Sequence, residues 1–365
     1  MIILNVAGLS NKKYAGPNIN VPACTLYEEE YAKTALYNTG KGSLENVNKL
    51  ENYYMKDVMK NYDVKTLPRP FNNPDVVVFN SMYLIEHVKM ANKLVKYGIP
   101  YVIIPRGALT EKAQCKKWYK KKIANLLFFN KYVNNASAIQ FLTENEKVES
   151  SKFKYKKSIV CGNGVEEKSN HKEYGSCNDK FIITFIGRIE KFHKGLDKLM
   201  EAINQGQEEL RKKNIILNLY GPDKNNSVSF LSEYIKRQKI GDLVKINKPV
   251  FDKEKEKILL ESDLFVHTSR LEGHPTAVIE AISYGVPVLV TPGTNMYKTV
   301  KENNLGFVAD FNANEILKAI FKAYDNKANL ENISKNELEY SRKNFEWRYL
   351  VKKYIDNYEK VIEMR

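Results

Sequence analysis

The sequence predicts an α/β protein built from two Rossmann-like domains in tandem. Short apolar runs rich in β-branched residues recur along 365 residues, spaced so that an amphipathic helix fits between them. The alternation is interrupted once, over the polar, aperiodic stretch 166–180, and then resumes. At 43% hydrophobic and 11% aromatic content, the chain can fill two cores of ordinary size.

In the first series the expected strands are 2–6, 76–79, 101–104 and 139–142, with helical patterns at 82–96 and 116–132. Thr143-Glu144-Asn145-Glu146 has capping-box spacing, so a helix should start where the fourth strand ends. The opening run 2–6 is too short and too poor in basic residues for a leader and is read as a first buried strand. After the linker, strands are expected at 181–185, 215–220, 264–266, 287–290 and 307–308, and helices at 196–204, 228–237 and 276–284. This sets an N-terminal domain at 1–165, a C-terminal domain at 166–344 and a final helical segment at 345–365, helical over 345–364, long enough to return to the first domain.

Lys plus Arg number 58 against 43 Asp plus Glu, a formal charge of +15. The excess is concentrated: residues 1–165 carry 25 basic and 13 acidic side chains, the rest 33 and 30. The first half should therefore face something anionic. Cys24, Cys115, Cys161 and Cys177 form no C-x-x-C pair, which excludes a zinc knuckle or redox dithiol and points to a reducing, cytoplasmic setting. No apolar run approaches the roughly 18–20 residues of a membrane span.

Two segments carry the chemistry. In Phe185-Ile186-Gly187-Arg188-Ile189-Glu190-Lys191-Phe192-His193-Lys194-Gly195, a strand ends in Gly-Arg and Lys-Gly opens a helix. Helix-start N–H groups with two cations six residues apart suit a diphosphate, although the same residues alone also fit two solvated loop cations. In the second, Thr268 to Ala281, Glu272 and Glu280 flank a Gly273-His274-Pro275-Thr276 bend with seven residues between them. The bend can offer N–H groups to an anion while the carboxylates accept hydroxyl protons, or it can simply be a capped helix with two solvated acids.

Taken together, these segments resemble the retaining family 4 glycosyltransferases of the GT-B fold. The likeness extends to Leu219-Tyr220-Gly221-Pro222, Ser262 to Val266, and Phe345-Glu346-Trp347 before the last helix. It implies two Rossmann-like domains facing each other across a cleft. It also implies transfer of a hexose-type sugar from a nucleotide diphosphate sugar, most commonly a UDP-sugar, to a glycan or lipid-linked acceptor in cell-surface polysaccharide synthesis. By the same resemblance Arg188, Lys194 and Glu272 are catalytic, the first two neutralising the donor diphosphate. Gly16, Arg106, Gly187, Gly273, His274, Pro275, Thr276 and Glu280 bind the donor, with Glu280 on the ribose. Family members commonly carry Pro-His-Gly where this chain has Pro105-Arg106-Gly107. Arg106 cannot accept a proton; it donates to sugar, phosphate or an acidic acceptor, or makes an ion pair within its domain. His267, ending an apolar strand, reads as a core residue. No cofactor is implied beyond the nucleotide sugar as co-substrate. Asp-x-Asp is absent from the sequence, so metal independence is expected, with activity surviving excess chelator.

Residues 112–122 hold six lysines, Lys112, Lys116, Lys117, Lys120, Lys121 and Lys122, interleaved with Trp118 and Tyr119 and followed by an apolar run. A basic helix with an apolar face suits an anionic membrane surface, placing the protein at the inner face of the cell membrane. A solvated helix whose apolar residues pack in the core is the other reading. Two rival functions are a GT-B sugar-nucleotide epimerase and a basic nucleic-acid-binding protein. The latter leaves the donor constellation unexplained, and no nucleic acid partner is expected. A nicotinamide oxidoreductase is disfavoured, since no G-x-G-x-x-G follows a strand.

Overall fold

The computed structural model describes every residue except 13, 14, 42–46, 48, 116, 176–178, 364 and 365. Lys116, Cys177 and Met364, each part of an expectation above, lie outside the described residues. The chain divides into two compact units, Met1–Gly164 with Trp347–Arg365, and Val165–Glu346.

The first unit holds a seven-stranded parallel sheet. Its strands are β1 (Ile2–Ala7), β2 (Lys33–Asn38), β3 (Tyr53–Met55), β4 (Val76–Phe79), β5 (Tyr101–Ile103), β6 (Ala138–Phe141) and β7 (Ser158–Val160), in the order β3-β2-β1-β4-β5-β6-β7. The central runs are buried on both faces, as parallel strands covered by helices must be. One face packs on a core that includes Val77, Phe79, Phe129 and Tyr132. The other is covered by Trp347, Leu350, Val351 and Tyr354 of the last helix, Trp347–Ile362, which also packs on helix Gly16–Glu28.

The second unit holds a six-stranded parallel sheet. Its strands are β8 (Phe181–Ile186), β9 (Ile215–Tyr220), β10 (Val244–Asn247), β11 (Leu264–His267), β12 (Val288–Val290) and β13 (Gly306–Val308), in the order β10-β9-β8-β11-β12-β13. The two Rossmann-like sheets match the predicted class. In each, the order reverses beside the first strand, at β1/β4 and at β8/β11. At such a switch point loops diverge from the carboxyl ends and leave room for a ligand.

Several details depart from expectation. Strands β2, β3, β7 and β10 were not anticipated: β3 and β7 have three residues each, and β2 and β10 mix lysine and asparagine with apolar residues. The expected helix 116–132 is interrupted. Lys117 sits in the left-handed region (φ 56°), helix Trp118–Ala124 follows, and a π segment, Asn125–Phe129, precedes Asn130–Asn135. The last helix starts at Trp347; Phe345 packs in the second unit and Glu346 forms a parallel bridge with Val165. The predicted linker is no free tether, because Lys172 N–H donates to the Tyr284 carbonyl, its ammonium lies 3.4 Å from Asp263, and Tyr174 packs on the core. The capping box forms in half: Thr143 Oγ1 accepts from Glu146 N–H at 3.0 Å, while the Glu146 carboxylate takes the N–H groups of Leu142 and Gly107 instead.

Candidate active site

At the switch point of the second sheet, β8 runs out into Gly187-Arg188 and β11 into Thr268 and the Glu272 bend. Gly187 N–H donates to the Tyr220 carbonyl at 2.9 Å, which ties the β8 end to the β9 end. Lys194 N–H closes the following turn on the Glu190 carbonyl, and Gly195 caps helix Leu196–Gln205 with φ 66°. Arg270 locks the two loops together: its guanidinium makes two bonds to Asp197, at 2.7 and 2.6 Å, and its N–H donates to the His193 carbonyl. From behind, Asn295 Nδ2 donates to the carbonyls of Glu272 and Gly273, at 2.6 and 3.2 Å.

This scaffold brings Lys194 and Glu272 together, with Lys194 Nζ 2.6 Å from Glu272 Oε1. The same oxygen accepts from Ser269 Oγ at 3.0 Å and faces His267 Nε2 at 3.5 Å. Burial alone would push the Glu272 carboxyl up, but Lys194 and then His267 overcome it and hold the group well below the ordinary carboxylate range. His267 is held below its own ordinary value, first by burial and then by the Lys194 charge. It is a core residue, as expected, stacked on Phe185 at 5.6 Å. Its neutral form with a proton on Nε2 also donates toward Glu272, a role that strand position alone did not reveal.

Arg188 lies half-exposed with its guanidinium 3.4 Å from Glu190. His193 is held below its ordinary value, first by burial, with the charges of Glu272, Lys194, Glu190 and Arg188 also acting on its ring. Beyond Glu272, helix Thr276–Ser283 begins after Pro275, which has no side-chain oxygen to cap it; the Pro275 carbonyl instead takes the Val278 N–H at 3.0 Å. His274 is buried against Phe345 at 5.8 Å, and burial lowers its pKa to about 4, leaving it neutral. Glu280 is paired with Lys255 of helix Asp252–Glu261. Lys255 was missed because it stands in a Lys-Glu-Lys-Glu-Lys run that has the pattern of a solvated face.

Gly16 and Arg106 belong to the first unit. Gly16 opens helix Gly16–Glu28 after Ala15, with a proline in its first turn. Asn18 steadies the loop before it by donating to the carbonyls of Ser10 and Lys12, at 2.6 and 2.9 Å. Arg106, at φ 53°, makes no ion pair within 4.0 Å among the described residues; its two terminal nitrogens donate to Asn163 at 3.0 Å and Asn80 at 2.9 Å. From Asn80 the polar chain continues through Asn5 to Glu28, which is fully buried and whose carboxyl burial pushes up to about 7. A carboxyl raised in the folded state stabilises the fold fully below its unfolded pKa, near 4.3, and loses that contribution as pH rises through 7. Between about pH 4.5 and 7 the loss amounts to about 3 kcal/mol. Glu28→Gln is expected to flatten this part of the melting temperature against pH curve; an unchanged slope would refute the buried, titrating carboxyl.

Among the described residues, no three His, Cys, Asp or Glu side chains are grouped to hold a metal ion. No helix among them is long and apolar enough to cross a membrane.

Residues 166–340 match the family model described as Glycosyl transferases group 1. An uncharacterized glycosyltransferase of Methanocaldococcus jannaschii, MJ1069, is 24% identical over 188 residues, 50% of this chain and 46% of that protein, so the match spans about half of each. An uncharacterized 41.2 kDa protein in the cps region of Klebsiella pneumoniae is 24% identical over 274 residues, 70% of each chain. The crystal structure of Anabaena HepE in complex with UDP-glucose superposes with a TM-score of 0.73 at 16% identity, covering 98% of this chain and 99% of that one. At that identity the likeness is one of fold, and the fold is GT-B.

Proposed function

We propose, from the premise that residues 166–340 are a Glycosyl transferases group 1 domain in a chain of GT-B fold, that this protein is a retaining, metal-independent glycosyltransferase. It moves a hexose-type sugar from a UDP-sugar to a glycan or lipid-linked glycan in cell-surface polysaccharide synthesis. A lipid-linked acceptor places it at the periphery of an anionic membrane. The observation that carries the reading is the Lys194–Glu272 pair at the β8/β11 switch point, with the charges of Lys194 and Arg188 both acting on the His193 ring.

Cleavage of a sugar–diphosphate bond loads negative charge onto the leaving phosphate. Fixed cations and aligned N–H groups there lower the barrier without reorganising. Lys194 supplies one cation, and the arriving diphosphate competes with Glu272 for it. Arg188, 3.4 Å from Glu190, supplies the other. As Lys194 passes to phosphate, Ser269 and His267 keep Glu272 oriented, and its carboxylate accepts sugar hydroxyls. The Gly273 to Thr276 bend offers backbone donors, Gly187 leaves room beside the phosphates, and Glu280, steadied by Lys255, accepts the ribose hydroxyls. Gly16 and Arg106 are further candidates for donor binding. The departing phosphate itself takes the acceptor proton, so attack comes from the face it leaves and configuration is retained. Neutral His274 contacts the sugar as a hydrogen-bonding group rather than a charge.

The support from outside the chain is that HepE of the same fold was crystallised with UDP-glucose. A thermal-shift panel of nucleoside diphosphates and their sugars, with and without chelator, tests the reading. UDP and one UDP-sugar should raise the melting temperature by several degrees at a hundredfold excess over Kd, a stabilisation of about 2.7 kcal/mol. The shift and the turnover should both persist in chelator. No response to any nucleoside diphosphate would end the proposal, and loss of turnover in chelator would end its metal-free form.

A further inference from the structure

One segment of the first unit has two apolar faces. Along residues 118–135, Phe129, Tyr132 and Val133 are buried in the core. Tyr119, Ile123, Leu126 and Leu127 recur at the i, i+4, i+7, i+8 spacing of a helix face, yet all four are exposed, Ile123 to 59%, Leu126 to 78% and Leu127 to 61%. Trp118 stands beside them at 62% exposure. Isolated exposed apolar residues are ordinary, but a continuous stripe of this size signals a partner.

The charges around the stripe identify that partner. Lys117, Lys120 and Lys122 are exposed and make no ion pair among the described residues. The acids nearby are engaged, Glu149 with Lys112 at 3.4 Å and Glu111 with Lys152 at 3.1 Å. Lys121 is not part of the surface: its ammonium turns inward to the Ala113 carbonyl and over the Tyr83 ring at 5.3 Å, which corrects its assignment to the membrane patch. A second copy meeting this face through the same face would oppose lysine to lysine, and nucleic acid would leave Leu126 and Leu127 without a partner. An anionic lipid leaflet satisfies both features, with phosphates for the ammonium groups and acyl chains for the apolar stripe.

We propose that this face docks the protein on an anionic membrane, with Trp118, Ile123, Leu126 and Leu127 entering the interface and Lys117, Lys120 and Lys122 meeting the headgroups. The proposal deepens the acceptor half of the proposed function, resting on that reading for a lipid-linked acceptor. Its test uses neither donor nor acceptor, so the two can fail separately. The whole chain is floated with phosphatidylcholine vesicles, with and without phosphatidylglycerol. Binding should require the anionic lipid and fall steeply with salt. The triple variant Lys117→Ala, Lys120→Ala, Lys122→Ala should lose roughly a hundredfold in affinity, and Leu126→Ser with Leu127→Ser about tenfold. Trp347 is buried at 3% exposure, so the emission shift to the blue on binding should come from Trp118 and vanish in Trp118→Phe. Unchanged melting temperatures of the variants verify their fold. Equal binding to neutral and anionic vesicles, no binding to either, or affinity indifferent to the two leucines would overturn the proposal. So would a dimer abolished by Leu126→Ser in the absence of vesicle binding, which would assign the face to a second copy.

Discussion

Lys194→Ala is expected to lower turnover by about a hundredfold or more, the loss typical when one fixed donor to a developing oxyanion is removed. The same substitution strips Glu272 of its cation at 2.6 Å. Breaking a deeply buried pair costs about 3–5 kcal/mol. Here Ser269 and His267 remain on the same oxygen, and the Lys194 and Glu272 side chains keep 11% and 16% of their exposure, so a cost nearer 2 kcal/mol is expected. Glu272→Ala should abolish turnover similarly. The double variant Lys194→Met, Glu272→Gln separates the two effects: with neither charge left alone, its denaturation midpoint should recover toward that of the parent while turnover stays low. Parent-level turnover in both single variants would refute the site.

Gly195→Ala should cost on the order of 3 kcal/mol or more and lower turnover as well. A Cβ at Gly195 would lie 1.9 Å from the Thr268 carbonyl oxygen, and the residue's φ of +66° is itself unfavourable to alanine. Gly98 is the internal control. It has nearly the same φ, +67°, but nothing within 4 Å of an added Cβ, so Gly98→Ala should cost only about 1 kcal/mol, the left-handed backbone alone. Denaturant midpoints of the two variants measure the difference. Equal losses would show that the close approach of the Lys194 turn to the β11 end does not hold the site together.

The strands that β-branched runs announce, such as Val76–Phe79, and the helix that Thr276 opens were legible because burial on both faces and helix periodicity leave direct traces in a sequence. The short edge strand Tyr53–Met55 was not, because it is half-buried and its pairing with β2 is decided by the rest of the sheet. Arg188, Lys194 and Glu272 were singled out by motif spacing and by the resemblance it carries. The structure adds what spacing cannot encode: that three donors converge on one carboxylate oxygen, that Lys255 reaches Glu280 from a distant helix, and that Arg106 rests on two neutral asparagines. The pattern in 118–128 showed apolar residues without showing which way they point. The outward apolar face becomes visible only once the core has claimed Phe129 and Tyr132.

The closing helix Trp347–Ile362 has a consequence for the order in which the protein is made. It covers one side of the β1-containing sheet, where Ile3, Val76, Val78 and Val102 lie, yet it is translated after the whole intervening half. A nascent chain therefore exposes an oily flank on this sheet while the intervening half, continuous in sequence, can already fold as a unit. Until Trp347–Ile362 has been made, that side of the sheet lacks its cover.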